Sequence, residues 1–141
     1  MSRVNFVGFQ EHFEVPEDSQ LVDLRIDIEC DFDEQKAFSL IGEARYLSKW
    51  FYEITSFQSK PGGKIAFIDQ TGSSFQGICT SYTPGREISL LSDQFGEFIG
   101  RVTRVDAKVI IKLHIKCFAQ DYEAKRALFS SFAQRLKELT W

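Results

Sequence analysis

The stretch from Leu47 to Phe67, LSKWFYEITSFQSKPGGKIAF, most constrains what this chain can fold into. A helix ending, the pair Trp50-Phe51, an extended run and the triplet Pro61-Gly62-Gly63 follow one another within it. Here a helical layer must hand over to a sheet. Proline presets φ and glycine supplies positive φ, so the triplet is a turn between a strand over 51–59 and a returning strand from Lys64 to Asp69.

Upstream, Val22, Leu24, Ile26, Ile28, Cys30 and Phe32 alternate with Asp23, Arg25, Asp27, Glu29 and Asp31. That is the period of a half-buried strand with a charged outer face. Asp31 or Asp33 can cap a helix through Ala37, Phe38, Leu40 and Ile41, because a carboxylate there accepts the orphan amides of the first turn. Gly42 ends it, and a second short helix runs from Ala44 to about Lys49, burying Leu47 and Trp50. Downstream, turn signals at Gln70-Thr71-Gly72-Ser73, Pro84-Gly85 and Asp106-Ala107 separate strands over Phe75–Tyr82, Glu87–Ser92, Phe98–Val105 and Lys108–Phe118. From Asp121 the period becomes helical, with Tyr122, Phe129, Phe132, Ala133, Leu136 and Leu139 in one stripe.

Composition bounds the function classes. The 141 residues suffice for one core, with 43% hydrophobic and 26% charged residues, as in ordinary globular domains. A net charge of −3 argues against nucleic acid as a partner, since phosphate binding needs a basic face. Acids cluster between Glu11 and Glu34 and bases from Lys108 onward, so first and last strands, if adjacent, pair across their outer faces. No secretory leader and no run of about 18 apolar residues is present, so no membrane insertion and a cytoplasmic location are expected. Cys30, Cys79 and Cys117 are odd in number and sit in separate strand-like runs, which reads as small buried hydrophobes rather than disulfides or a metal site. Residues 1–20, with Phe6, Phe9 and Phe13 around Gly8 and ahead of Pro16, form either an N-terminal arm or extra edge strand, or a loose tail, outside the main domain over 21–141.

This order of elements, a strand, two short helices, six further strands and one long helix, is that of the α+β helix-grip fold. In it a curved antiparallel sheet of six or seven strands wraps the last helix. Residue by residue the chain resembles the START-like (SRPBCC), or Bet v 1-like, superfamily, and within it proteins similar to the activator of heat-shock protein 90 ATPase. The marks are Leu47-x-x-Trp50-Phe51, Gly62-Gly63-Lys64-x-x-Phe67, Gly77 followed by Pro84, and His114 shortly before Phe118, across residues 21 to 139. Members commonly carry His and then Gly-Phe at the end of the last strand, where this chain has His114-Ile115-Lys116-Cys117-Phe118. The resemblance implies a hydrophobic cavity between sheet and C-terminal helix that holds a small apolar molecule. It also admits a chaperone-cofactor or other protein-interaction role and a cyclase- or dehydratase-like activity.

Fourteen phenylalanines in 141 residues suit either a ring-packed core or a ring-lined cavity. Trp50, Phe51, Phe67, Phe75, Tyr82, Phe129 and Phe132 are the expected lining, with the Tyr82 hydroxyl as a polar handle. Glu53 and Arg104 join them if Phe51 and Val102 point inward, and together they would suit an anionic apolar ligand. No catalytic residue, cofactor or metal is expected: no HExxH, CxxC, GxSxG or phosphate-loop pattern occurs. GEFIG at 96–100 lacks the strand-to-helix setting of a dinucleotide loop. His12 falls in the N-terminal segment, and His114 shares the outer face of the last strand with Lys112 and Lys116. Monomer and homodimer both remain open.

Overall fold

A computed structural model describes residues 21–31 and 33–140; the N-terminal segment 1–20, Phe32 and Trp141 lie outside the described residues. The strand β1 (Leu21–Cys30) is followed by helices α1 (Glu34–Gly42) and α2 (Ala44–Leu47), then β2 (Glu53–Phe57), β3 (Lys64–Ile68), β4 (Ser74–Thr83), β5 (Glu87–Ser92), β6 (Gly96–Val105) and β7 (Lys108–Phe118). A single 3₁₀ turn, Ala119–Asp121, leads into α3 (Tyr122–Leu139). The seven strands form one antiparallel sheet in the order β1-β7-β6-β5-β4-β3-β2. Register shifts between Ile54 and Ser56 in β2 and between Cys79 and Ser81 in β4 mark bulges, which bend and twist a sheet locally.

Local chemistry sets the helices. Asp33 caps α1, its Oδ1 accepting from the Lys36 amide at 2.8 Å. Asp121 stands at the N-cap position of α3 without a side-chain cap bond, because the 3₁₀ turn precedes it. The helix stripe is as expected at its centre: Phe129, Phe132, Ala133 and Leu136 are buried.

The end of α1 is satisfied from outside the helix. The last carbonyls of a helix have no intrahelical partner. The Ser39 carbonyl accepts from the Glu43 amide at 3.2 Å. The Leu40 carbonyl accepts from the Trp50 indole at 2.6 Å, and the Gly42 carbonyl from the Tyr82 hydroxyl at 3.3 Å. Two aromatic side chains from distant parts of the chain therefore seat α1 on the sheet. The helix also comes close at Gly100, where an added Cβ would lie 3.1 Å from Ile41 Cδ1. Gly96 has φ of 82° and room for no side chain, since a Cβ would meet the Lys116 carbonyl oxygen at 2.3 Å. The glycines of GEFIG thus serve packing and a turn.

The first and last strands are neighbours, and their outer faces pair: Asp23 with His114 at 3.0 Å, Glu29 with Lys108 at 3.3 Å, and Asp27 with Lys112 at 3.9 Å. His114 shares that face, as expected, but only 17% of its side chain is exposed. On the same face Arg101 Nε lies 2.5 Å from Glu87 Oε1, and the Ser81 hydroxyl donates to Glu87 Oε2 at 3.0 Å.

We predict that Trp50→Phe lowers stability by about 1–3 kcal/mol, because it strands a buried carbonyl; the urea midpoint checks this, and an unchanged midpoint refutes it. A second prediction concerns pH. The Arg101 guanidinium, helped by Ser81, holds the Glu87 carboxyl below its ordinary value of 4.5. A lowered folded-state pKa stabilises fully above the ordinary value, and the gain is lost as pH falls through the lowered one. Glu87→Gln should therefore cost up to about 1 kcal/mol at neutral pH, Arg101 being largely exposed, and progressively less at acid pH below the ordinary value of 4.5. Equal losses at neutral and acid pH in chemical unfolding would contradict it.

Candidate functional site

Between α3 and the sheet the space is filled by rings. Trp50, Phe51, Tyr52, Phe67, Phe95, Phe98 and Phe132 are all buried and touch in a continuous cluster, with centroid separations of 4.9–6.1 Å. Tilted and edge-to-face pairs at such distances are favourable geometries for aromatic packing.

What opens is a cleft of about 370 Å³ at one end of this layer. One wall is α3, through Leu128, Phe132 and Arg135. Opposite stand Ile68 and the β3–β4 turn, Asp69, Gln70 and Thr71. Its floor comes from the segment Ser48, Phe51, Tyr52 and Glu53, and Gln94 of the β5–β6 turn closes one side. The volume is near the low end of the roughly 300–1,000 Å³ of small-molecule pockets.

Hydrogen bonds hold the walls. Asp69 Oδ1 accepts from the Thr71 amide and hydroxyl at 2.9 and 2.7 Å and from the Ser73 amide at 3.0 Å. The Thr71 hydroxyl, ahead of the turn amides, keeps the Asp69 carboxyl below its ordinary value, so it is ionised at neutral pH. Gln94 is pinned by its backbone: its amide donates to the Ser92 hydroxyl at 3.2 Å, and its carbonyl accepts from the Lys125 ammonium on α3.

Tyr52 is the unusual member. It is 5% exposed, and its hydroxyl is buried with no hydrogen-bond partner among the described residues. Burial raises its pKa, and the Asp69 charge pushes the same way. The Gln94 side chain opposes that rise without completing a bond of normal geometry. The phenol therefore keeps its proton at neutral pH.

The nine residues expected to line a cavity are divided by the structure. Phe51, Glu53 and Phe132 meet in the cleft, with Glu53 exposed at its rim. Trp50 lies deeper, wholly buried, in contact with Phe98. Phe67 backs Tyr52 at 5.0 Å between centroids, and half-buried Phe75 backs Phe67 at 5.8 Å. Phe129 is buried beneath α3 outside the cleft. Tyr82 stands elsewhere, edge-on to Phe38 at 5.6 Å, and its hydroxyl is engaged at Gly42. Arg104 does share the parity of buried Val102, but it lies beyond the core and pairs with Glu34 at 3.0 Å. Glu53, Arg104 and Tyr82 are thus not brought into one acid–base constellation.

Tyr52, Leu128, Arg135 and Gln94 were not anticipated. The available signal was Trp50-Phe51-Tyr52 itself: three consecutive rings do not fit a two-residue period, and all three are buried in an irregular segment before β2.

No family model matches the chain, and no curated protein matches its sequence. Solved structures do match in fold. The chain is similar to the Aha1 dimer of Colwellia psychrerythraea, with 13% identity and a TM-score of 0.64 over 84% of this chain and 96% of that one. It is similar to protein MLL2253 of Mesorhizobium loti, with 10% identity and a TM-score of 0.70 over 84% and 96% of the two chains. A third likeness is to DynU16, from the dynemicin biosynthetic locus, with 12% identity and a TM-score of 0.68 over 82% of this chain and 46% of that one. The chain has the START-like fold, the helix-grip arrangement it shares with Aha1. Among the described residues no helix is long and apolar enough to cross a membrane, and no group of side chains is placed to hold a metal ion.

The two tyrosines should respond oppositely to loss of the hydroxyl. Tyr82→Phe leaves the Gly42 carbonyl without its donor and should cost up to about 1 kcal/mol, whereas Tyr52→Phe removes an unpartnered buried group and should be neutral or stabilising by about 1 kcal/mol. Thermal and urea unfolding of both variants check this; a Tyr52→Phe loss larger than that of Tyr82→Phe refutes it.

Proposed function

We propose that this protein binds a small apolar molecule in the cleft between α3 and the β3–β4 turn, without catalysis. The observation that carries this reading is the cleft itself, about 370 Å³, with Phe51, Ile68, Leu128 and Phe132 as its apolar surface and Ser48, Glu53, Asp69, Gln70, Thr71, Gln94 and Arg135 as polar members of its lining. Concave sites of this size that combine apolar surface with polar groups are how proteins hold small ligands. The ring cluster behind the cleft supports the reading, since it makes the floor rigid and limits the ligand to the end of the layer.

The test is fluorescence titration with N-phenyl-1-naphthylamine, an uncharged apolar probe, against the protein and a Leu128→Trp variant. Saturable binding at one site is expected, and the larger ring should fill the cleft and weaken binding by roughly tenfold or more, about 1.4 kcal/mol. Absence of saturable binding, or equal affinity in a variant that keeps its melting temperature, would overturn the reading.

A further inference from the structure

The outer face of the sheet carries side chains shut off from water, although no described helix lies over them. Gly100 meets Ile41 of α1, so it and its neighbours Ile88, Leu90 and Phe98 face the helices. Alternation then turns Ser89, Leu91 and Ile99 to the opposite face. An antiparallel sheet commonly leaves one face to solvent, and in the row of Glu87 this one does: Arg101 and Lys112 keep 58% and 49% of their side chains exposed. Ser89 and Leu91 keep only 6% and 3%. Leu91 is buried without belonging to the core cluster, so its cover comes from the outer side. We propose that residues 1–20 lie across this face, with the rings of Phe6, Phe9 and Phe13 over Leu91 and Ile99.

Four observations select this occupant. The burial is found in a single copy of the chain, so the cover belongs to the same chain, and α1 and α3 are on the other face through Ile41 and Phe132. The register places the start of β1 level with the patch, since Asp23, Lys116, Glu97 and Leu91 form one row across the sheet. Three strand spacings make about 14 Å, whereas Phe13, eight positions before Leu21, can reach up to about 26 Å. Phe32 and Trp141, which also lie outside the described residues, are single positions, one past the opposite end of β1 and one after α3.

The chemistry matches as well. Three rings on the segment need apolar surface, and half-buried Ile78 and Ile99 flank Leu91 to supply it. Beside the patch, two grooves are lined by Arg25, Arg86, Arg101 and Lys112 against Asp27 and Glu87, an excess of positive charge. The segment carries Glu11, Glu14, Glu17 and Asp18 against Arg3. Opposite excesses favour this docking over pairing along the free edge of β1, which would leave Leu91 uncovered. Ser89, Leu91 and Ile99 take no part in the cleft, so the proposal stands apart from the ligand reading.

The experiment is alkylation of a thiol placed in the patch. Ser89→Cys, a change of small volume, is made in the full chain, and its reaction with iodoacetamide is followed site by site by peptide mass spectrometry. Cys79 and Cys117, buried in the core, report that the domain stays folded. When Phe6→Ser, Phe9→Ser and Phe13→Ser are added together, the thiol at position 89 should react roughly tenfold faster or more, with Cys79 and Cys117 still protected. Equal rates would overturn the proposal. So would protection in Ser89→Cys that grows with protein concentration, because the occupant would then be a second copy. Should the triple replacement also expose Cys79 and Cys117, the three phenylalanine variants are tested singly in Ser89→Cys and in Leu91→Cys; acceleration confined to the patch in none of them overturns it.

Discussion

A buried hydrogen bond ties α1 to the segment that leads from α2 into the sheet. The Trp50 indole donates to the Leu40 carbonyl at 2.6 Å, and neither partner has water to turn to. An α1 carbonyl left bare in that interior would carry the full penalty of an unsatisfied polar group. The same indole ring then packs on Phe51 and Phe98, so the helix end, the irregular segment before β2 and the middle of β6 are located by one side chain. The junction stretch organises the fold because it supplies this cap and these rings together.

That arrangement also decides what kind of site the fold offers. A helix-grip layer filled by Trp50, Phe51, Tyr52, Phe67 and Phe98 has little internal space, and the opening moves to its end. There the walls are held by interactions independent of any ligand: the Asp69 turn by its own hydrogen bonds, and Gln94 by Ser92 and Lys125. A site whose walls are already set loses little conformational entropy when a ligand enters. The rings and turns are the fixed part, and among the described residues that line the cleft the buried Tyr52 hydroxyl has no completed hydrogen bond.

The strands were legible in the sequence because their alternation is clean, and the helices because Asp33 and Gly42 punctuate them. The two-residue period does not extend across the irregular segment before β2. A strand starting at Phe51 makes Phe51 and Glu53 alternate with Tyr52, but β2 starts at Glu53 and all three preceding rings turn inward. Strand parity would turn Tyr52 outward, whereas it is buried. Arg104 shows a different limit: its face follows from parity with Val102, yet where a strand outruns its core depends on the position of α1 above it. Tyr82 shows a third, since a hydroxyl's partner, here the carbonyl of Gly42, is set by packing of elements far apart in the chain. Leu128 and Arg135 flank the helical stripe, and only the seating of α3 brings them to the cleft.

The sheet order has a consequence for how the protein comes into being. Each strand from β3 to β7 pairs with its predecessor in the chain, so those hairpins can form in succession during synthesis. β1 is the exception: Leu21 pairs with Phe118 and Cys30 with Val109, and its apolar face has no seat until the final strand has emerged. Non-local pairings of that kind carry a large loop-closure entropy and slow the search for the native state. A ribosome-bound chain therefore holds β1 unpaired until β7 arrives, with alternating acids along it to keep it in solution.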